Sequence, residues 1–497
     1  MALDVTRAKR SRFSSSSQAP LTLDAETMRR MGYRAIDAVV DHLTQIRQHH
    51  VLNVKSGRDL QRVLGQPLPR EPEAFDTLIG DLEQHVFQNI THHDHPRFFA
   101  FVPGPGNYAG ALAELLTNGF NVFCGTWIGG AGASEIELIT LEWLRRLVGF
   151  PAGARGVFLS GGSEAGLVAM ATARNVKLGN DPTNAVVYCS DQTHKSLDRN
   201  LWLLGFQPQQ VVRLPCDETW RLRPELLAAR IAGDRAKGLR PFCVVVNAGT
   251  TNTGSVDPLN EVAEICRRED LWLHADGAYG AGAIFCEPGR KVLSGIEKVD
   301  SLGLDPHKWM FQPYSAGCVM VRNGYDLRRT FSYSAEYLKL IEESDEPNFC
   351  DYGIQLTRDF RALKLWFSLK IFGADAFEAA QCRGIELAET VAKTVVQQRW
   401  WELVSPPQLA VVTFRFRPPG LDQETLDALN REIVDTFNKT GYGMVIYTKL
   451  NEETVIRMCT INPRTLDAEI QQCLEKLDHI AKTLYREWVV TEPPASI

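Results

Sequence analysis

Leu271-Trp272-Leu273-His274-Ala275-Asp276-Gly277-Ala278-Tyr279-Gly280 is a short apolar run that ends on a carboxylate and then breaks on glycine. An uninterrupted run of this length predicts a strand buried on both faces, and the glycines predict where it stops. The same unit recurs outward in both directions. Strand-like runs at 185–189, 210–214, 242–247 and 316–321 alternate with helical patterns at 224–232 and 259–268. This alternation predicts an α/β fold with a mostly parallel, doubly wound sheet. Ligands of such sheets bind beyond the carboxyl ends of the strands, so polar residues just after the runs are candidates for chemistry: His194, Thr251, Asp276, His307 and Lys308.

Helical spacing over 23–49 and 75–90 predicts an N-terminal helical segment. After Phe360, helical patterns at 361–372 and 374–398 lead to strand candidates at 411–417 and 455–460 and a last helix at 467–488, which together predict a smaller α+β domain. Residues 1–19 mix Arg7, Lys9, Arg10 and Arg12 with a serine run and read as a mobile arm. A transit peptide is the poorer reading, because the stretch is short and holds Asp4.

A chain of 497 residues with 44% hydrophobic and 23% charged residues has the composition of a globular protein with a deep core. Its net charge of −6 argues against a general nucleic-acid binder, which needs a basic surface. No apolar run reaches the ~18 residues of a membrane helix. The 11 cysteines form no CxxC pair, a pattern that suits reduced, buried thiols in a cytoplasmic protein.

Asp305-Pro306-His307-Lys308-Trp309 follows the extended segment 300–304. A lysine between histidine and tryptophan is expected to be partly desolvated, which lowers its pKa toward the free amine that imine chemistry needs. A snorkelling surface lysine is the plainer alternative. Asp276, at the end of a buried strand, needs a cationic partner, and a protonated pyridine nitrogen would serve as well as an arginine. Phe158-Leu159-Ser160-Gly161-Gly162-Ser163-Glu164 reads as a strand end, a glycine turn and a helix start, where free N–H groups and the helix dipole suit a phosphate. It is neither a Walker loop nor a nucleophile elbow. His194 offers an imidazole for stacking on a ring, or merely caps a helix. Adjacent side chains in His92-His93-Asp94-His95 diverge, so no metal site is expected.

Taken in order, His95-Pro96-Arg97-Phe98-Phe99, Ser163-Glu164, Asp191-Gln192-Thr193-His194, Gly249-Thr250-Thr251, His274-Ala275-Asp276 and Pro306-His307-Lys308-Trp309 resemble the group II decarboxylases dependent on pyridoxal 5′-phosphate (PLP), the aromatic-L-amino-acid decarboxylase family of fold type I. The resemblance runs from about residue 23 to 485. It implies the PLP-dependent transferase-like fold, with a seven-stranded sheet. The implied organisation is a flexible arm (1–22), an N-terminal helical dimerisation segment (23–105), a large PLP-binding domain (106–385) and a small C-terminal domain (386–497). It also implies a homodimer with both subunits lining each pocket.

Carried over residue by residue, the resemblance makes Lys308 the Schiff-base lysine, Asp276 the partner of the pyridinium nitrogen and His194 the stacked imidazole. Gly162, Ser163 and His307 become phosphate ligands, Thr251 and Ala278 neighbours of the ring, and Arg457 a support from the C-terminal domain. Tyr337, in the polar segment 331–348, corresponds to the tyrosine that reprotonates Cα. Family members with phenylalanine there tend to form aldehydes oxidatively, so Tyr337 with His194 favours simple decarboxylation. The substrate pocket would include Phe101, Val102, Gly104, Phe123, Gly125 and Thr357. Gly104 and Gly125 depart from the animal pattern there, as Gly161 and Asp305 do near the phosphate. The expected substrates are tyrosine, DOPA or phenylalanine, then tryptophan, then histidine. The competing readings are an oxidative aldehyde synthase or lyase, a glutamate-type decarboxylase, and a non-enzymatic scaffold.

Overall fold

The computed structural model describes residues 21–332 and 346–491, which form two compact units. The first, residues 21–49 with 53–90, is built on helices Ala25–Gln45, Gly57–Leu64 and Phe75–Asp81. Asp24 caps the first helix by accepting from the Thr27 amide at 2.9 Å. Arg34 grips both carboxylate oxygens of Glu83 at 2.8 and 2.9 Å. No residue of Ala25–Gln45 is buried, and Met28, Tyr33 and Val39 are exposed.

The second unit holds residues 50–52 and the remainder of the chain from residue 91. Its centre is a seven-stranded sheet of β1 (Arg155–Leu159), β2 (Ala185–Ser190), β3 (Val211–Leu214), β4 (Arg240–Asn247), β5 (Trp272–Asp276), β6 (Ser301–Leu304) and β7 (Gly317–Val321). The lateral order is β1-β7-β6-β5-β4-β2-β3. Strands β3, β2, β4, β5 and β6 pair in parallel, while β7 runs antiparallel to both β1 and β6. Every residue of β2, β6 and β7 is buried, which is why these strands read as continuous runs and not as alternations. The mostly parallel, doubly wound sheet expected from the sequence is therefore present.

A second sheet has the order β10-β11-β9-β8, formed by β8 (Trp401–Ser405), β9 (Val411–Phe416), β10 (Ile446–Leu450) and β11 (Glu453–Cys459), all antiparallel. Leu387, Val391, Phe414, Ile433, Phe437 and Leu477 join it to helices Ala374–Gln397, Gln423–Lys439 and Asp467–Thr491 in one core. The central strands β9 and β11 match the sequence candidates. Edge strands β8 and β10 do not stand out in the sequence, because each is only partly buried and carries a weaker apolar signal. Residues 91–105 lie in the second unit, and helix Ala374–Gln397 runs through the 385/386 boundary drawn from sequence. No helix among the described residues is long and apolar enough to cross a membrane.

Candidate active site

The carboxyl ends of five strands converge. Ser160 follows β1, His194 follows β2, Asn247 ends β4, Asp276 ends β5 and Asp305 follows β6. Sheet register sets Asp276 beside Asn247 on one side and Gly303 on the other. All five line a cavity of 550 Å³, together with Phe101, Val102, Gly162, Ser163, Thr251, Ala278, His307 and Lys308.

The lysine is delivered by a tight turn. Pro306 pre-sets the second position and the Lys308 amide donates to the Asp305 carbonyl at 2.9 Å. Trp309, fully buried and stacked on Tyr279 with ring centroids 5.3 Å apart, anchors the far side of the turn. A Cβ at Gly282 would sit 2.7 Å from the Trp309 Cβ, so only glycine leaves the indole its space. The turn brings Lys308 Nζ to 2.9 Å from Asp305 Oδ2, and His307 Nε2 lies 3.6 Å from the same oxygen.

This contact overturns one expectation. Burial is the largest single influence on the Lys308 amine and acts downward, as anticipated. The charge and hydrogen bond of Asp305, joined by the charge of Asp276, outweigh it and raise the amine above the ordinary lysine range. Burial lowers His307, whose Nδ1 accepts from the Ala316 amide at 3.2 Å.

Helix Gly162–Leu178 begins on Gly161, and no side chain caps it. Glu164 shapes the turn instead, its Oε2 accepting from Ser160 N at 2.9 Å and Ser160 Oγ at 2.6 Å. A Cβ at Gly162 would stand 2.9 Å from the Ala278 Cβ and 3.0 Å from Asp305 Oδ2, so the turn packs directly on the lysine loop. Its first amides have no side-chain cap to compete with a bound anion.

His194 Nδ1 accepts from the Ser196 amide at 3.2 Å, which in the neutral ring leaves the proton on Nε2. Asn247 braces the loop that carries this histidine. Its amide side chain donates to Ser190 Oγ at 3.0 Å, Thr193 Oγ1 at 3.1 Å and Asp257 Oδ2 at 2.9 Å. Burial pushes Asp257 up to about 6. Arg457, on β11, donates from Nε to the Thr251 carbonyl at 2.7 Å and from Nη1 to the Phe101 carbonyl. The small domain thereby grips two segments of the cavity wall. Phe101 has a φ of 48°, a strained conformation for a bulky residue of the kind that clusters at functional sites.

Sequence reasoning missed His93 and Tyr314, which line the cavity with Tyr314 Oη 3.5 Å from His93 Nδ1. Neither follows a strand directly, so strand-end logic passed over them. Nothing local in the sequence marks Asn247 as a brace, Glu164 as the acceptor that shapes the turn, or Asp305 as the lysine's partner. Four sequence candidates do not line this chain's cavity. The space a side chain at Gly104 would need is taken by the phenol of Tyr314. A Cβ at Gly125 would meet both the Phe123 ring and the Leu356 carbonyl, and neighbouring Thr357 is exposed. Tyr337 lies outside the described residues.

Residues 58–417 match the profile of the pyridoxal-dependent decarboxylase conserved domain. The chain belongs to the pyridoxal-dependent decarboxylases. An aromatic-L-amino-acid decarboxylase from Bacillus atrophaeus is 48% identical to this decarboxylase over 465 residues, 93% of this chain and 97% of the relative. The crystal structure of Oryza sativa TDC with PLP and tryptamine superposes with a TM-score of 0.90 at 28% identity, covering 94% of this chain and 100% of that one. Rhodiola rosea 4-hydroxyphenylacetaldehyde synthase superposes with a TM-score of 0.86 at 25% identity, covering 93% and 99%. The scaffold reading is thereby excluded: this decarboxylase is a PLP-dependent carboxy-lyase. The cavity fits that cofactor in its donor chemistry, with a primary amine at Lys308, a carboxylate at Asp276 and an uncapped helix start at Gly162 and Ser163.

Proposed function

We propose that this decarboxylase removes the α-carboxylate of an aromatic L-amino acid, releasing the amine and carbon dioxide. One observation carries the reading: Lys308, Asp276, His194 and the Gly161–Ser163 turn line a single cavity whose remaining wall includes Phe101, Val102, Tyr314 and His93. When bound, PLP supplies an electron-withdrawing ring that accepts the electron pair left on Cα as the carboxylate departs.

The chain's own groups divide the remaining work. Lys308 supplies the amine that holds the cofactor. Asp276 would present a carboxylate to the cofactor's ring nitrogen and favour its protonated form, an effect of about 1–3 pKa units for a close opposite charge. His194 would offer its imidazole face to the cofactor, Gly162, Ser163 and His307 would hold its phosphate, and Thr251 and Ala278 would stand beside its ring. Arg457 keeps Thr251 and Phe101 in place. Phe101 and Val102 give the substrate side chain an apolar wall, and the Tyr314–His93 pair adds a polar one. That wall supports an order of tyrosine, DOPA or phenylalanine first, then tryptophan, then histidine.

The test is amine release from each of the twenty amino acids plus DOPA and 5-hydroxytryptophan. Aromatic amines are the expected products; turnover of glutamate with no aromatic product would refute the reading.

Tyr337 is the proposed proton donor to Cα, supported by its place in a polar segment after the site. Tyr337→Phe is expected to retain cofactor while shifting product from amine toward aldehyde. Unchanged amine output would remove Tyr337 from the mechanism. The similarity to the Rhodiola rosea aldehyde synthase favours oxidative aldehyde formation as the second reading. Measuring amine, carbon dioxide, peroxide and aldehyde in one assay separates the two.

The working unit in this proposal is a homodimer, with 23–105 as its dimerisation segment. Support comes from helix Ala25–Gln45, which buries none of its residues, and from exposed Phe120, Phe123, Ile128 and Leu356. In a dimer, Phe123, Gly125 and Thr357 would serve the partner's cavity. A cytoplasmic location is supported by 11 free cysteines, of which only Cys216 and Cys382 are not buried.

A further inference from the structure

We propose that Asp305 holds the Lys308 amine as an ammonium beside the Gly161–Ser163 turn whenever that amine is not joined to the cofactor, and so governs how readily the lysine captures an aldehyde. The inference deepens the reading of Lys308 as the cofactor lysine and rests on it.

The two side chains occupy the first and fourth positions of one turn, where Pro306 removes backbone freedom, so their 2.9 Å contact is built into the local chain. The Asp305 side chain is only 2% exposed, and its Oδ1 accepts no hydrogen bond among the described residues. Lys308 is therefore the principal partner of a buried anion, and separating them leaves that anion poorly compensated. The other groups facing the amine do not replace Asp305. Asp276 acts on it from β5 without an ion-pair contact, burial keeps His307 toward its neutral form, and burial also raises Tyr314 and Cys459 and keeps them uncharged. The net result is an amine held above the ordinary lysine range.

Only the free base attacks a carbonyl. As the C=N bond forms and the C=O bond breaks, the ammonium nitrogen gives two hydrogens to the oxygen, which leaves as water. The third hydrogen and the positive charge stay on nitrogen, and nothing is oxidised or reduced. When the substrate's ammonium takes the lysine's place, the same inventory passes back and Lys308 returns to Asp305 as an ammonium. Each transfer therefore begins or ends at this ion pair.

The test uses the full-length chain freed of cofactor, mixed with PLP and, in parallel, with pyridoxal, which lacks the phosphate. The rise of the visible absorbance of the lysine-bound cofactor is followed against pH. In the wild type the capture rate should keep climbing to at least the ordinary lysine pKa of about 10.4. In Asp305→Asn it should level off at least one pH unit lower and run about tenfold faster near neutral pH with both aldehydes, one unit being a factor of about ten. Asp305→Glu should restore the high midpoint.

Equal midpoints in wild type and Asp305→Asn would overturn the proposal. So would acceleration confined to the phosphate-bearing aldehyde, which would place Asp305's effect on the phosphate. Should Asp305→Asn fail to fold, the wild-type profile decides alone, because levelling below the ordinary lysine value refutes the ion-pair role. Capture of neither aldehyde by the wild type would instead show that Lys308 is not the cofactor lysine.

Discussion

Lys308→Ala is expected to abolish decarboxylation, with carbon dioxide release falling by at least about a thousandfold. Removing the nucleophile of another covalent enzyme costs up to about 10⁶ in kcat. The visible absorbance of the lysine-bound cofactor should disappear, and borohydride should no longer fix cofactor to the chain. The variant also strips Asp305 of its 2.9 Å partner, so a carboxylate with only 2% of its side chain exposed is left buried and unpaired. Some loss of stability should accompany the loss of activity, and Lys308→Ala with Asp305→Asn should recover the stability without the activity. A borohydride-fixable cofactor in Lys308→Ala would place the covalent bond elsewhere.

Glu137→Ala is expected to destabilise the decarboxylase by about 3–5 kcal/mol, the range for breaking a buried ion pair by removing one partner. Glu137 Oε1 lies 2.7 Å from Arg358 Nη2, with side chains 0% and 1% exposed. The same oxygen accepts from the Phe158 amide at 2.9 Å, while Arg358 donates to the carbonyls of Cys124 and Phe158, each at 2.9 Å. Its guanidinium also lies over the Phe349 ring at 5.0 Å from the centroid. One guanidinium thus ties the segment before helix Trp127–Val148 to strand β1, and removing its counter-charge strands a cation in the core. The shift of the urea midpoint, converted with the measured slope, reads the effect. A change below about 1 kcal/mol, the scale of an exposed pair, would mean that solvent reaches the arginine.

The two predictions differ in how far they can be read without a structure. Lys308 stands out in sequence because Pro306, His307 and Trp309 surround it and an extended run precedes it. Glu137 and Arg358 are far apart in the chain, and nothing local marks either as buried. Their burial depends on helix Trp127–Val148 lying beside β1, a contact no periodicity encodes. Tyr314 and His93 meet for the same kind of reason, across segments joined only by the fold.

Local order along the chain was enough to determine the strand-and-helix alternation, the parallel character of the large sheet, and the positions of Lys308, Asp276, His194 and the glycine turn at strand ends. These depend on apolar periodicity and on glycine and proline stops, which are properties of neighbouring residues. Tertiary structure alone decided the antiparallel insertion of β7 between β1 and β6, the edge strands β8 and β10, and the polar wall of the cavity. It also decided the charge on the lysine. Burial by itself would have lowered that amine, but Asp305 and Asp276 reverse the direction, because electrostatic outcomes are sums over groups that only the folded chain brings together.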